Sequence, residues 1–333
     1  GQLIHDARRV RSVIRMLPGN LPVPSEGFSG EARRNPRIYC IEGLCELARR
    51  EAWQMAFCRT RFLRLTTSPS NIAMDGRLMD FNGLSCLFPG DYPDNFGHQF
   101  RLAELVKEPM VLIQGLSDLC LYIGKYMFDP DFTLVSRLKV EETFQKTFHE
   151  ACYYCYLEQL GIPTEFLPQE GIPDTLKQLV NSLVVLVNKR SDRLYCPDTA
   201  CGDDSPLQSL VVELIRQSQA QTHPLDNDAE HDVHFTEAQL CFSRAIHWLT
   251  QDSIRRQINV SSLLKEMENH ARKRLQPRKW LGKACLSEEI ASLLDEHSDN
   301  PYYLREAFSD MGTRMQAFSR EAFGHVNPVR IAV

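Results

Sequence analysis

Apolar side chains recur at helical spacing along most of the chain, and this pattern predicts a protein that is mostly α-helical. In the first part of the chain, the spacing predicts helices over residues 6–17, 38–63 and 109–128. The remainder is helical in pattern throughout. There we expect helices over residues 133–160, 175–189, 206–220, 260–275, 287–294 and 302–323, and one more that begins near Thr236.

Local sequence signals mark the ends of two of these helices. Gly161, followed closely by a proline, is expected to end the helix before it. Thr236 is expected to be an N-cap, with Gln239 as its reciprocal hydrogen-bond partner. In that arrangement Phe235 would pack on Leu240 as a hydrophobic staple.

A break in the pattern at Asp129-Pro130-Asp131 predicts a domain boundary. We therefore expect one module over residues 1–130 and a helical extension over residues 131–333. A chain of 333 residues is long enough to bury a substantial core in either arrangement.

Residues 70–82 depart from the helical pattern and predict two short strands joined by a tight turn. Asp75-Gly76 suits a two-residue hairpin turn, which would bring Asn71 and Asp80 to the same end of the hairpin. An amide oxygen beside a carboxylate is a donor set that Mg²⁺ accepts, and such an ion usually also holds nucleotide phosphates. The alternative is an ordinary Asp-Gly hairpin that binds nothing.

Composition and charge narrow the class of protein. A formal net charge of −5 and a pI near 6.1 argue against a general nucleic-acid binder, because phosphate binding needs a concentrated positive surface. Arg8, Arg9, Arg11 and Arg15 form a local basic cluster, which is either a solvated helix face or a contact for a nucleotide or an acidic partner.

Cysteine usage and hydropathy predict the compartment. The eleven cysteines are scattered and odd in number, which is typical of buried thiols in a reducing cytosol and not of a disulfide framework. The N-terminal residues contain no apolar signal core, and no stretch approaches the roughly 18 apolar residues that span a bilayer. We therefore expect a cytoplasmic protein without a membrane partner.

Two cysteine pairs, Cys152–Cys155 and Cys196–Cys201, raise the alternative of structural zinc. A four-thiolate site needs both pairs on converging loops, whereas the first pair lies within a predicted helix, so buried thiols are the default. His231 and His234 are spaced for one helical turn and would either share a cation or belong to a solvated acidic linker.

Several common catalytic motifs are absent from the sequence. It contains no Gly-x-Ser-x-Gly elbow, Walker A loop, dinucleotide-binding fingerprint or His-Glu-x-x-His helix. The hairpin that carries Asn71 and Asp80 is therefore the constellation that best indicates chemistry.

This hairpin resembles the segment of kinase-like folds in which an Asn and an Asp hold the Mg²⁺ of bound ATP. Over about residues 40–128 the chain also resembles the SelO (YdiU) family, a kinase-like fold that transfers AMP from ATP to protein hydroxyls. The matching motifs are Trp53-Gln54-Met55-Ala56-Phe57, Ser70-Asn71, Met79-Asp80-Phe81 and Tyr92-Pro93-Asp94.

The resemblance implies a fold class and a site. The fold would be α+β but mostly α, with a kinase-like C-lobe built from helices around a short catalytic hairpin and followed by the helical extension. Asn71 and Asp80, nine positions apart as in the family, would bind Mg²⁺ and thereby ATP. The activity would be transfer of AMP or a phosphoryl group to a peptide or protein substrate.

Three positions depart from the family pattern. Ser70 stands where the family has an acidic residue, Arg64 where a His is expected, and Asn82 where a Gly follows the Asp-Phe pair. The glycine-rich, lysine-bearing β lobe is also not found in the 40 or so residues before the resemblance, so either it lies upstream in a longer protein or the fold has been kept for binding alone. The alternative is a catalytically inactive pseudokinase scaffold that docks a partner enzyme or peptide.

A second resemblance concerns the biological setting. In general character, though not in any single motif, the chain is similar to the MchC and MceJ type of proteins that mature siderophore-bearing microcins. This similarity implies a role in microcin biosynthesis beside an acyltransferase-like partner protein.

Overall fold

The computed structural model describes residues 36–61, 63–64, 85–86, 108–115, 117–118, 134–162, 167–168, 171–194, 206–219, 233–251, 259–276 and 283–323. These residues are mostly helical, as the sequence predicts, and they include one pair of two-residue strands. The elements are α1 (Pro36–Thr60), β1 (Leu63–Arg64), β2 (Ser85–Cys86), α2 (Leu134–Gln159), α3 (Asp174–Leu194), α4 (Pro206–Gln219), α5 (Val233–Gln251), α6 (Val260–Arg274), α7 (Lys283–His297) and α8 (Pro301–Phe323).

Most of the helices fall where the hydrophobic spacing places them. Helix α2 differs by one residue at each end from the predicted 133–160, and α8 begins one residue early. Helix α3 is longer than the predicted 175–189 and runs on to Leu194. Residues 108–115 are helical, which agrees with the start of the helix predicted over 109–128. The helix predicted over 6–17 lies outside the described residues.

The predicted start of α5 is wrong. This helix begins at Val233, so Thr236 lies inside its first turn and is not the N-cap. Phe235 packs against the core from within the helix, and this burial favours helical structure before Thr236. Gln239, expected to bond back to the cap, instead donates from its side-chain amide to Gln217 of α4. Leu240 is largely exposed.

The core begins where α1 packs on α2. Ala48, Ala52 and Ala56 recur every four residues on α1 and are fully buried, so the backbones of the two helices approach closely. Phe144 and Phe148 of α2 are also fully buried. Helix α3 packs on α5, α4 packs on α6, and α8 packs on both α1 and α7.

The predicted domain boundary falls between two helices that share this core. Helix α1 precedes Asp129-Pro130-Asp131 and α2 follows it, yet their buried residues belong to one continuous cluster. The division into residues 1–130 and 131–333 stays a prediction, as does the kinase-like arrangement. No helix among the described residues is both long enough and apolar enough to cross a bilayer.

Gly161 ends α2 as predicted, through a Schellman motif. The amide of Ile162 donates to the carbonyl of Leu157 (2.9 Å), and the amide of Gly161 donates to that of Glu158 (3.0 Å). Gly161 has a φ of 77°, a left-handed conformation that favours glycine. A Cβ atom built there would lie 2.9 Å from Cγ of His270, so α6 leaves no room for a side chain.

We expect Gly161→Ala to lower the free energy of unfolding by about 2 kcal/mol or more, because left-handed strain and the contact with His270 both oppose the new methyl group. Gly312→Ala is the matched control, since Gly312 lies within α8 and has nothing within 4 Å of a Cβ position. That change should stabilise the protein by about 0.5–1 kcal/mol. Urea unfolding followed by circular dichroism measures both, and effects of the same sign would contradict the expectation.

Candidate functional site

The segment that carries the candidate metal ligands lies between the two short strands β1 and β2 in sequence. These strands pair antiparallel, with Leu63 opposite Cys86 and Arg64 opposite Ser85. Asn71 and Asp80 both lie between the strands in sequence, and they lie outside the described residues, as does the predicted hairpin over 70–82. The pairing brings the two ends of the segment 65–84 side by side, and we call this segment, which includes Asn71 and Asp80, the β1–β2 loop.

The C-terminal end of α1, directly before β1, is held by a buried arginine. Arg61 is only 1% exposed, and its guanidinium lies 3.4 Å from the centre of the Phe57 ring. Its Nη1 atom donates to the carbonyl of Phe57 (3.2 Å) and to the hydroxyl of Thr60 (3.0 Å). Because these contacts are all within the last turn of α1, they fix the direction in which the chain enters β1.

The same guanidinium also joins the ends of two other helices to α1. Its Nη2 atom donates to Oε1 of Gln159, the last residue of α2 (3.0 Å). It also donates to Oε1 of Glu321 in the last turn of α8 (3.1 Å). Arg61 therefore ties together three helix ends at the base of the loop that carries Asn71 and Asp80.

A buried ion pair ties α1 to the chain that follows β2. The Nη2 and Nε atoms of Arg59 donate to Oε2 of Glu108 at 2.8 and 3.1 Å, and Glu108 is fully buried. Charge-assisted bonds of this kind are among the stronger ones in proteins. Glu108 begins the helical residues 108–115. The pair therefore fastens residue 108, which comes 22 positions after β2, to the end of α1.

The cysteine pair in α2 is structural. The thiol of Cys152 donates to the carbonyl of Ala52 (3.5 Å), and the thiol of Cys155 donates to the carbonyl of Trp53 (3.4 Å). Burial raises the pKa of the Cys152 thiol to about 12, against a smaller opposing effect of Arg59, and it raises the pKa of Cys155 well above its ordinary value. Neutral thiols that bond to backbone carbonyls are poor metal ligands.

The other predicted zinc and cation ligands are only partly described. Cys196 and Cys201 lie outside the described residues, as does His231. His234 lies in the first turn of α5. In the part of the chain that the structure describes, no three His, Cys, Asp or Glu side chains come together in a way that could hold a metal ion.

Glu51 is a second unusual ionisable group on α1. It is buried, and its Oε2 atom has no hydrogen-bond partner among the described residues. Burial raises its pKa from 4.5 to about 8, so the carboxyl is largely protonated at neutral pH. By contrast Glu46, one turn earlier and also buried, accepts from Arg49 and Arg50 at 3.3 and 3.1 Å.

Hydrophobic spacing did not identify the polar residues at the end of α1. Arg59 and Arg61 interrupt the apolar stretch that closes the predicted helix over 38–63. Two arginines next to a buried Phe57 are a signal that buried partners exist. Those partners, Glu108, Gln159 and Glu321, are distant in sequence, and pattern reasoning on a single chain does not pair them.

Comparison with known proteins gave no relative: no family model, curated protein or solved structure matches the chain.

Proposed function

We propose that this chain is a SelO-like, kinase-fold protein that binds ATP with Mg²⁺ through Asn71 and Asp80 and acts on a peptide or protein substrate. Transfer of AMP or of a phosphoryl group is the proposed activity, and the maturation of a microcin is the proposed setting. The observation that supports this best is the β1–β2 pair, which brings the two ends of residues 65–84 side by side.

This pairing matters because a cation site needs its ligands held at defined positions. Arg61 fixes the end of α1 shortly before β1, and β2 pairs with β1, so the two ends of the loop lie side by side. Ligands on a loop with anchored ends lose less conformational entropy on binding than ligands on a free segment. The arrangement therefore supports a binding role for Asn71 and Asp80.

The donor chemistry also fits the proposed ion. Asn71 offers a neutral amide oxygen and Asp80 offers a carboxylate, and Mg²⁺ prefers oxygen ligands of these two kinds while it keeps several waters and phosphate oxygens. When bound, the ion would neutralise phosphate charge. Ser70 is a poor replacement for an acidic residue as a general base, so the proposal assigns no catalytic base.

The test is ligand-dependent thermal stability. With ATP and Mg²⁺ or Mn²⁺ at about 100 times the dissociation constant, the wild-type chain should gain about 2.7 kcal/mol, which corresponds to a few degrees in Tm. Asp80→Ala should abolish this shift because it removes the charged ligand. Differential scanning fluorimetry measures the shift, and no shift in the wild type with either metal would contradict the proposal.

A matched control lies in the predicted hairpin. Asp75→Asn removes a carboxylate at the turn and keeps a residue that a tight turn accepts, so the ATP shift should persist. ATP labelled at the α- or γ-phosphate then separates the two activities. Label transferred from the α-phosphate to a peptide identifies AMP transfer, and label from the γ-phosphate identifies phosphoryl transfer.

A pseudokinase scaffold is the second candidate. Large apolar side chains exposed on the C-terminal helices favour it, among them Tyr302 and Tyr303 of α8. If the chain only docks a partner, Asp80→Ala should leave biological activity intact, whereas a change on the exposed helix surface should abolish it. Loss of activity in a normally folded Asp80→Ala protein would reject the scaffold.

A further inference from the structure

Helices α7 and α8 form a helical hairpin whose closed end stands away from the core. Three residues, 298–300, connect the two helices. Arg314 of α8 pairs with Glu289 of α7, and it also lies 3.6 Å from Asp310. The Arg314–Glu289 pair joins the two helices, whereas Asp310 holds the Arg314 side chain from within α8.

The other end of the hairpin is anchored in the core. Phe318 of α8 is buried and its ring centre lies 6.2 Å from that of Phe57 in α1. Glu321 bonds to Arg61 at the base of the candidate site. The hairpin is therefore packed on the core at one end. From there α8 extends toward the closed end by about 1.5 Å for each residue.

The closed end carries aromatic side chains in a fixed arrangement. Tyr302 is 84% exposed and Tyr303 is 45% exposed, with the Tyr303 ring 4.0 Å from that of His297. Asn300 caps α8, since its Oδ1 atom accepts from the amide of Tyr303 (3.2 Å). Leu294, one turn before the end of α7, is also largely exposed. A capped helix start presents these side chains without the entropy cost of ordering a loop.

Negative charge is concentrated around these aromatic residues. Residues 288–310 contain seven acidic residues and one arginine. Because the whole chain has a net charge of only −5, the residues outside this segment are close to neutral in sum. Four of the acids have no ion-pair partner within the described ranges: Glu288, Asp295, Asp299 and Glu306. We call Leu294, Tyr302, Tyr303 and the surrounding acids Asp295, Asp299 and Glu306 the tip surface.

We propose that the tip surface docks a basic segment of a partner protein, one in which Lys or Arg side chains alternate with apolar ones. Exposed tyrosines are typical anchors of protein interfaces, and nearby unpaired carboxylates attract a cationic segment and speed its association. The same charge repels nucleic acid, anionic lipid and a second copy of the tip surface. This inference goes beyond the proposed function and does not depend on ATP binding.

The first step of the test identifies the preferred sequence. A phage-displayed library of random dodecapeptides is panned against the immobilised full chain, with prior depletion on the Tyr302→Ser variant. We expect the enriched peptides to combine net positive charge with aromatic or aliphatic residues. Failure to enrich any peptide over the Tyr302→Ser variant, or enrichment of neutral or acidic peptides, would overturn the proposal.

The second step measures binding of one enriched peptide by fluorescence anisotropy. Tyr302→Ser should weaken binding by about tenfold or more, because the ring supplies the central apolar contact. Asp295→Asn with Glu306→Gln should weaken it by about threefold to tenfold and flatten its dependence on salt between about 0.05 and 0.5 M. Neither change threatens the fold, since Tyr302 makes little contact with the core and Asp295 lies at the C-terminal end of α7, where a negative charge is unfavourable.

Two matched controls lie away from the tip surface. Val233→Ser removes an apolar side chain that is also largely exposed, at the start of α5, and Glu237→Gln neutralises an exposed acid on the same helix. Both should bind the peptide as the wild type does. Equal losses of binding in the controls and the tip variants would overturn the proposal. Analytical ultracentrifugation tests for self-association, and a concentration-dependent dimer that Tyr302→Ser abolishes would also overturn it.

Discussion

Arg61→Ala is expected to lower the free energy of unfolding by about 3–5 kcal/mol. The substitution removes four hydrogen bonds and the contact with the Phe57 ring, and it leaves a cavity where α1, α2 and α8 meet. The amide of Gln159, which is buried, would lose its bond to the guanidinium. Urea unfolding at several temperatures, followed by circular dichroism, measures the loss.

Arg272→Ala is the matched control for Arg61→Ala. Arg272 also donates to a helical glutamate, Glu268 at 2.8 Å, but both side chains reach solvent on α6. Its removal should cost less than about 0.5 kcal/mol. Glu321→Gln should fall between the two at about 1 kcal/mol or less, because the Glu321 side chain is 36% exposed. Losses of similar size for Arg61→Ala and Arg272→Ala would show that the three-helix junction is not held by Arg61.

Glu51→Gln is expected to stabilise the protein at pH 8 and to have little effect near pH 4. The folded protein holds the Glu51 proton up to a pKa of about 8, whereas the unfolded chain releases it near 4.5. Between these values the native state binds more protons than the unfolded state, so stability falls as pH rises. The contribution lost across this interval is roughly 3–5 kcal/mol. Glutamine has nearly the shape of the protonated carboxyl and does not ionise.

The measurement for Glu51→Gln is the free energy of unfolding at intervals from pH 4 to pH 9. The difference between variant and wild type should grow as the pH rises from about 4.5 to about 8 and then level off. Glu46→Gln serves as the control, because Glu46 is buried on the same helix but paired with Arg49 and Arg50. That variant should lose stability at pH 8. A difference for Glu51→Gln that does not change with pH would contradict a raised pKa.

The sequence predicts the helices well because their apolar faces recur over long stretches. The end of α2 is also predictable, since Gly161 supplies a left-handed conformation that other residues avoid. The start of α5 is not predictable in this way. The cap signal at Thr236 is local, whereas the burial of Phe235 depends on the rest of the fold. Tertiary packing overrides local preference there.

The candidate site is likewise predictable from the sequence only in part. Spacing and resemblance select Asn71 and Asp80, which lie on the loop between β1 and β2, and their binding role stays a prediction. The buried polar base of that loop is not foreseeable, because Arg61 reaches partners in α2 and α8 that are about 100 and 260 positions away. Charge and amide pairs at such separations leave no periodic trace in one sequence.

The bond between Arg61 and Glu321 also sets an order of events during synthesis. These residues are 260 positions apart, and Phe318 is about as far from Phe57, on which it packs. At about 5–20 residues per second, a ribosome needs roughly 13–52 s to add the residues between them. Throughout that interval the end of α1 lacks its contacts with α8. The nascent protein therefore carries an arginine and an aromatic ring that lack these partners until α8 is made.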